Sequence, residues 1–313
     1  MLLYLFKLLK TARPRQWVKN LAIFAAIIFT GQLFNTKLFN ISLAAFFSFC
    51  VLSSATYFIN DVFDKERDKL HPFKKKRPIA SGAISAPAAL FMAGLLIFLG
   101  LRVALQINPA FFLICLSYLI LQFLYSSYLK HVEVLDIMAI STGFILRVYG
   151  GEFATGFHIN IWLLLCIISL SLFLAVGKRK SELTLLTAGG TKEITEKTRL
   201  TLSHYSDRLL DIYTSMFANA TWITYSFYTF LATPISAQFG NSEFLTDVIP
   251  LGREWKWLMT TIPIVIYGIM RYTQLVYEKH EGESPDRVLF ADKPLLFSVI
   301  LWAGMVVFII YLL

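Results

Sequence analysis

The sequence predicts an all-α, polytopic integral membrane bundle of about nine transmembrane helices. Three observations carry that expectation. The 313 residues are 57% hydrophobic and only 16% charged, against roughly 45–50% apolar and about 25% charged in a soluble domain, and the mean hydropathy is +0.62. Apolar stretches of membrane-spanning length recur along the whole chain. Lys and Arg collect in alternate connections between those stretches. So apolar a chain excludes a water-soluble domain, nucleic-acid binding in solution, and disorder. Cys50, Cys115 and Cys166 all lie within apolar runs, with no metal spacing and no disulfide framework.

A bilayer core about 30 Å thick takes about 20 mostly apolar helical residues. Such stretches fall at 17–35, 39–60, 86–105, 109–128, 134–151, 160–177, 211–232, 255–275 and 293–312. The first is no cleavable signal peptide, because Arg13, Arg15 and Lys19 interrupt its start and no small-x-small pattern follows. The fifth is the weakest, carrying Asp136, Arg147, Gly143, Gly150 and Gly151.

With the N-terminus inside, all Lys and Arg but five fall in the N-terminal segment and after the second, fourth, sixth and eighth stretches. Lys37, Arg102, Arg253 and Lys256 lie on the other side, and Arg147 lies within a stretch. The positive-inside rule then puts the N-terminus in the cytoplasm and the C-terminus outside. It also accounts for most of the net charge of +9 without an anionic partner. Two long cytoplasmic connections, 61–85 and 178–210, follow the second and sixth stretches, a placement that suggests a two-fold pseudo-repeat of helix pairs within a single domain, 1–313.

The strongest chemical signal is Asn60-Asp61-Val62-Phe63-Asp64-Lys65-Glu66-Arg67-Asp68, at the end of the second stretch. On a continuing helix Asn60, Asp64 and Asp68 recur every four residues and line one face, with Asp61 flanking it. Hard oxygen donors of this kind suit Mg²⁺ shared with substrate phosphates. A solvated, charge-decorated helix end would explain the composition but not the strict spacing against an apolar run. Lys69, His71, Lys74, Lys75, Lys76 and Arg77 follow, then Pro78-Ile79-Ala80-Ser81-Gly82. Cations beside carboxylates are what a metal–diphosphate needs, although Lys75 and Lys76 serve equally well as lipid-headgroup anchors.

These motifs and the nine stretches resemble the UbiA superfamily of intramembrane prenyltransferases over nearly the whole chain. Family members place two such motifs over the mouth of a helical bundle, where Mg²⁺ holds a diphosphate and a lateral opening admits a lipid chain. Four further segments are similar to the decaprenyl-phosphate phosphoribosyltransferase branch: Arg13-Pro14-Arg15-Gln16-Trp17-Val18-Lys19-Asn20, Gly143-Phe144-Ile145-Leu146-Arg147, Gly177-Lys178-Arg179-Lys180-Ser181-Glu182-Leu183 and Pro285-Asp286-Arg287-Val288-Leu289. That branch implies transfer of phosphoribose from 5-phosphoribosyl 1-diphosphate to a polyprenyl phosphate in a bacterial inner membrane.

The resemblance implies Mg²⁺ on Asn60, Asp64 and Asp68, with Lys74 and Arg77 neutralising the leaving diphosphate. Lys19 and Tyr57, the latter one turn before Asn60, would position the sugar phosphate. Lys130, Arg147, Lys178 and Arg179 would hold the head of the acceptor lipid. Tyr125 and Lys130 resemble a Tyr…Lys element that contacts diphosphate in the superfamily. Many members carry paired aspartates at the second motif; here Lys178, Arg179 and Glu182 stand instead, a shift from metal ligand toward anion binding. Asp207 and Asp211 read either as a displaced acidic pair or as a helix start complementing its dipole. Arg147 is a functional candidate because an intramembrane arginine is costly; the structural reading pairs it with Asp136 or Glu152. His131 reads as a spacer, and His158, His204, Tyr205 and His280 carry no assignment.

Two other readings remain open on the sequence. A UbiA-type aromatic prenyltransferase shares the fold, metal and first motif, with a less cationic acceptor pocket. A transporter of an anionic lipid or metabolite fits Arg147 in a glycine-rich helix, but not an acidic motif at a helix mouth.

Overall fold

The structure is a computed structural model describing residues 2–70, 74–188, 205–231, 256–278 and 285–312. Among these there is no strand. In chain order the elements are α1 (Leu2–Ala12), a 3₁₀ segment (Pro14–Phe24), α2 (Ala25–Phe29), α3 (Thr36–Phe63), α4 (Lys65–Leu70), α5 (Ala86–Ile107), α6 (Pro109–Ser127) and α7 (Leu135–Thr155). There follow α8 (Ile161–Ala188), α9 (Asp207–Leu231), a 3₁₀ turn (Trp257–Thr261), α10 (Ile262–Glu278), α11 (Pro285–Ala291) and α12 (Lys293–Leu312).

Polar caps start the long helices. Asn35 accepts from the Lys37 and Leu38 amides, Ser85 from Ala88, and Asn108 from Phe111, satisfying donors that a helix start leaves open. Asn108 also donates to the Phe153 carbonyl at 2.8 Å, tying the start of α6 to the end of α7. Gly82, at φ 77, makes the left-handed turn that leads into α5.

Five described helices are by length and composition apolar enough to cross a bilayer: α3, α5, α6, α8 through Thr184, and α12. Four predicted stretches differ. The first is no single α-helix: Arg13 takes a left-handed backbone (φ 53), Pro14 follows, and the chain runs as 3₁₀ before the short α2. The eighth begins with a 3₁₀ turn. The fifth and seventh are the helices α7 and α9, whose polar residues turn inward: Asp136, Arg147 and Glu152 on α7 and Thr214, Thr221 and Thr229 on α9 are buried. The two predicted connections also begin as helix. α4 covers 65–70 and α8 runs to Ala188, because the motif residues there continue the helical ladder.

The helices close into a ring. α3 packs along α5 and also meets α6 and α7; α7 leads to α8, α8 to α9, α9 to α10, and α10 to α12. The N-terminal 3₁₀ segment lies between α3 and α7. α12 returns to α2 and the turn after it: Tyr311 donates to the Ile27 and Ile28 carbonyls and accepts from the Leu33 amide. The outward faces are apolar, as on Phe91, Leu95, Phe98, Leu113, Ile120 and Phe123, which suits contact with lipid chains.

Gly151 on α7 lets the 3₁₀ segment approach. A Cβ there would run into the Ile23 backbone carbonyl, an atom with no side-chain freedom to yield. Gly151→Ala should therefore destabilise the protein by about 1–3 kcal/mol. An unchanged melting temperature of the purified variant in detergent would refute this account of the contact.

Candidate functional site

The acidic motif occupies the end of α3. Asp64 terminates that helix, and the Asp68 amide donates to the Asp64 carbonyl at 2.8 Å, so α4 follows directly on α3. The motif side chains sort into two pairs rather than one row. Asn60 Nδ2 donates to Asp64 Oδ2 at 3.1 Å, and Lys130 Nζ, itself buried, donates to Asp64 Oδ1 at 2.7 Å. Asp61 and Asp68 share Arg77, whose NH1 lies 3.3 Å from Asp61 Oδ1 and 2.7 Å from Asp68 Oδ2. Arg13 NH2 reaches the same Asp61 oxygen at 2.5 Å and covers the Tyr57 ring at 4.8 Å.

Asp61, expected only to flank the motif, is thus its most buried carboxylate. Seven residues make two helical turns, which brings Asp61 and Asp68 to one side where four-residue spacing pairs Asn60 with Asp64. Arg13 was not singled out by the spacing. Its signal is local: an Arg before Pro14, at the point where the chain leaves α1.

The Arg77-Pro78-Ile79-Ala80-Ser81-Gly82 segment positions its arginine by packing. Ile79 and Ala80 are buried, Ile79 in a cluster with Ala55 and Phe58 of α3, and Ser81 Oγ donates to the Pro78 carbonyl. Lys74 is half-buried, whereas Lys75 and Lys76 are exposed. His71, His204 and His280, with 189–204 of the second connection, lie outside the described residues. Lys19 donates to Gln16, and Trp17 Nε1 donates to Ser54 Oγ at 3.0 Å.

The donor chemistry of the motif fits a hard divalent cation: the carboxylates of Asp61, Asp64 and Asp68 and the Asn60 amide oxygen fall within nine residues, with the exposed Glu66 paired to Lys69. Among the described residues no three His, Cys, Asp or Glu side chains converge as a metal cluster. Asp61, Asp64 and Asp68 are met by three cations instead, Arg13, Arg77 and Lys130.

The second motif does other work. Arg179, expected to bind phosphate, is 1% exposed and enclosed. Its Nε lies 2.5 Å from Asp136 Oδ2, its NH1 2.5 Å from Glu182 Oε2, and its NH2 3.0 Å from the Tyr125 hydroxyl. Two carboxylates already satisfy the charge, so Arg179 and Glu182 are not presented to a ligand, and Tyr125 is turned to Arg179. Tyr205, left unassigned on the sequence, donates to Asp136 Oδ1 at 2.8 Å and accepts from the Val134 amide at 2.6 Å. Burial and the adjacent Asp136 carboxylate push its phenol above the ordinary tyrosine range. Asp207 and Asp211 both hold Lys180, at 3.0 and 2.8 Å, and Tyr277 donates to Asp211. Lys178, the remaining predicted second-motif cation, is half-buried.

Arg147 lies deeper, among neutral groups. It donates to Asn20 Oδ1 at 2.7 Å, to the Tyr118 hydroxyl at 3.0 Å and to the Gly143 carbonyl. Asp136 belongs to Arg179, and Glu152 accepts from the Ile159 amide with His158 3.9 Å away. The carboxylate pairing envisaged for Arg147 is not made.

Comparison with known proteins follows this geometry. Residues 21–180 match the model of the UbiA prenyltransferase family. The chain is 33% identical over 309 residues to a decaprenyl-phosphate phosphoribosyltransferase of Corynebacterium glutamicum, covering 97% of this chain and 87% of that one. A protein of the same name from Mycolicibacterium smegmatis is 32% identical, with 97% and 92% covered. Among solved structures, a UbiA homolog from Archaeoglobus fulgidus bound to GPP and Mg²⁺ superposes with a TM-score of 0.65 at 19% identity, covering 97% of this chain and 99% of that one, a likeness of fold.

The Arg179 network makes a stability prediction. Arg179→Met strands the buried Asp136 and should cost about 3–5 kcal/mol. Adding Asp136→Asn should recover part of that loss in the double variant. Equal and additive effects of the two changes in denaturant unfolding would show that the pair is not coupled.

Proposed function

The chain belongs to the UbiA prenyltransferase family, and from that premise we propose that it transfers 5-phosphoribose from 5-phosphoribosyl 1-diphosphate to a polyprenyl phosphate, releasing diphosphate. The observation that carries this reading is the near full-length likeness to decaprenyl-phosphate phosphoribosyltransferases. The motif end of the bundle supports it chemically. A phosphorylated sugar donor and a phosphorylated lipid acceptor bring more negative charge than a prenyl diphosphate and a neutral acceptor, and cations are interleaved with the carboxylates there.

Asn60, Asp64 and Asp68, with Asp61 beside them, are the groups that would hold Mg²⁺. When bound, the ion would supply charge neutralisation of the departing diphosphate. The protein's own cations then change partners. Arg77 and Lys130 leave the carboxylates they hold and turn to phosphate oxygens, joined by Lys74. Lys19 and Tyr57 orient the sugar end of the donor, and Lys178 meets the head of the lipid.

In the transfer step an oxygen of the acceptor phosphate forms a bond to the anomeric carbon as the bond from that carbon to the diphosphate oxygen breaks. The diphosphate takes the bonding pair, and the transition state has oxocarbenium character. The acceptor phosphate is already ionised at neutral pH, so no general base and no covalent enzyme intermediate are needed. Rate enhancement comes from positioning and from charge stabilisation of the leaving group. The bias of Lys and Arg along the chain supports a bacterial inner-membrane location with the motif end in the cytoplasm.

Asp64→Asn should lower diphosphate release from phosphoribosyl diphosphate and polyprenyl phosphate by at least about a hundredfold, with a melting temperature near that of the parent protein. Near-normal turnover in that variant would remove Asp64 from the reaction. Mass spectrometry of the lipid product, expected as a phosphoribosylated polyprenyl phosphate, tests the substrate pair itself.

A further inference from the structure

Four cations among the described residues are more than nine-tenths buried: Lys130, Arg147, Arg179 and Lys180. Three lie against carboxylates, Lys130 on Asp64, Arg179 on Asp136 and Glu182, Lys180 on Asp207 and Asp211. Arg147 does not. Its hydrogen-bond partners, the Asn20 amide oxygen, the Tyr118 hydroxyl and the Gly143 carbonyl, are all neutral, as are the Tyr118 and Phe144 rings beside it. An arginine does not shed its proton to escape burial, so a full positive charge stands in the bundle with no carboxylate among the described residues to balance it.

Its depth is set by Asn20, which also donates to Cys50 Sγ at 3.3 Å and Ser53 Oγ at 3.4 Å on α3. Cys50 and Ser53 precede Asn60 by ten and seven residues on that helix, about 15 and 10 Å along its axis, and Tyr118 bonds Thr56, four residues before Asn60. The Arg147 guanidinium therefore lies below the carboxylate cluster rather than within it. Between the two levels α3 presents the half-buried Tyr57.

We propose that Arg147, with Asn20 and Tyr118, forms a second, deeper anion seat that takes a phosphomonoester. The guanidinium fork matches the geometry of phosphate oxygens. Asn20 and Tyr118 each carry a donor that can turn toward an anion. A single cation with neutral donors suits a singly esterified phosphate, whereas a diphosphate is answered by the metal ligands and the cations at the mouth. This rests on the phosphoribosyl reading, in which two such groups are available: the 5-phosphate of the donor sugar and the phosphate of the lipid acceptor.

The test uses the full-length protein in detergent and measures calorimetric affinity for ribose 5-phosphate and for farnesyl phosphate. Ribose and farnesol serve as uncharged controls, and inorganic diphosphate with Mg²⁺ probes the carboxylate cluster. Arg147→Gln should weaken one phosphomonoester at least about tenfold and leave Mg²⁺-diphosphate binding unchanged. It should also raise the ligand-free melting temperature, because an unbalanced buried charge is gone. Loss confined to ribose 5-phosphate identifies the sugar as the source; loss confined to farnesyl phosphate identifies the lipid. Parent protein that binds neither ester, or Arg147→Gln binding both as the parent does, overturns the proposal. Should Arg147→Gln fail to fold, Arg147→Lys keeps the charge without the fork and should lose affinity in one ester arm; unchanged affinity in both overturns it equally. Mg²⁺-diphosphate binding that survives Asp64→Asn would count against the carboxylate site alone and leave the Arg147 result standing.

Discussion

A charge carried into an apolar bundle must be balanced nearby, and that constraint decides which helices of this protein sit together. Apolar helix faces are nearly interchangeable as lipid-facing or helix-facing surfaces, since lipid tails are as apolar as the side chains they meet. Buried polar groups are not interchangeable. Arg179 on α8 fastens Asp136 on α7, and Tyr205 ahead of α9 closes on the same carboxylate. Lys180, the next residue, reaches across to Asp207 and Asp211 on α9, while Tyr277 of α10 donates to Asp211. Arg271 on α10 binds Asp292 at the start of α12 at 2.6 Å. Consecutive helices of the ring are thus pinned at one end by ionic contacts, and packing follows along their lengths.

The same constraint explains what could be read in the sequence. Helix content, the acidic motif and the cation Arg77 beside it were legible, because composition, spacing and adjacent charge carry them directly, whereas Lys130, expected at the head of the acceptor lipid, lies on Asp64 from 66 residues away. The pairing within the motif was not legible. A four-residue rule joins Asn60 to Asp64, but the Asp61–Asp68 pair depends on Arg77, which reaches back through a turn built by Ile79 and Gly82. Nor could spacing separate Arg147 from Arg179. Both are arginines in apolar surroundings, and only the three-dimensional placement of Asp136 shows that one is balanced and the other is not. The break of the first stretch into a 3₁₀ segment had a cue in Arg13-Pro14, but its course depends on Gly151 allowing the Ile23 backbone close.

The ionic contacts divide by hydration, and the division bears on how a ligand would be received. Arg179 and Asp136 are each 1% exposed. Separating them means stripping both charges of a partner where water cannot replace it, so this pair is permanent architecture. At the mouth, Arg13 and Arg77 are 26% and 27% exposed and Asp64 is 20% exposed. One member of each pair is thus partly hydrated, while Asp61, Asp68 and Lys130 are 2%, 7% and 6% exposed; on the proposed function a ligand would offer each side a new partner, phosphate oxygens for the cations and a metal for the carboxylates. Such an exchange would leave none of the groups stranded. Arg147 belongs to neither class, being as buried as the permanent pairs yet held by neutral groups alone. Among the described residues the other deep cations lie against carboxylates and this one against dipoles alone, which is the imbalance that the proposed phosphomonoester would meet.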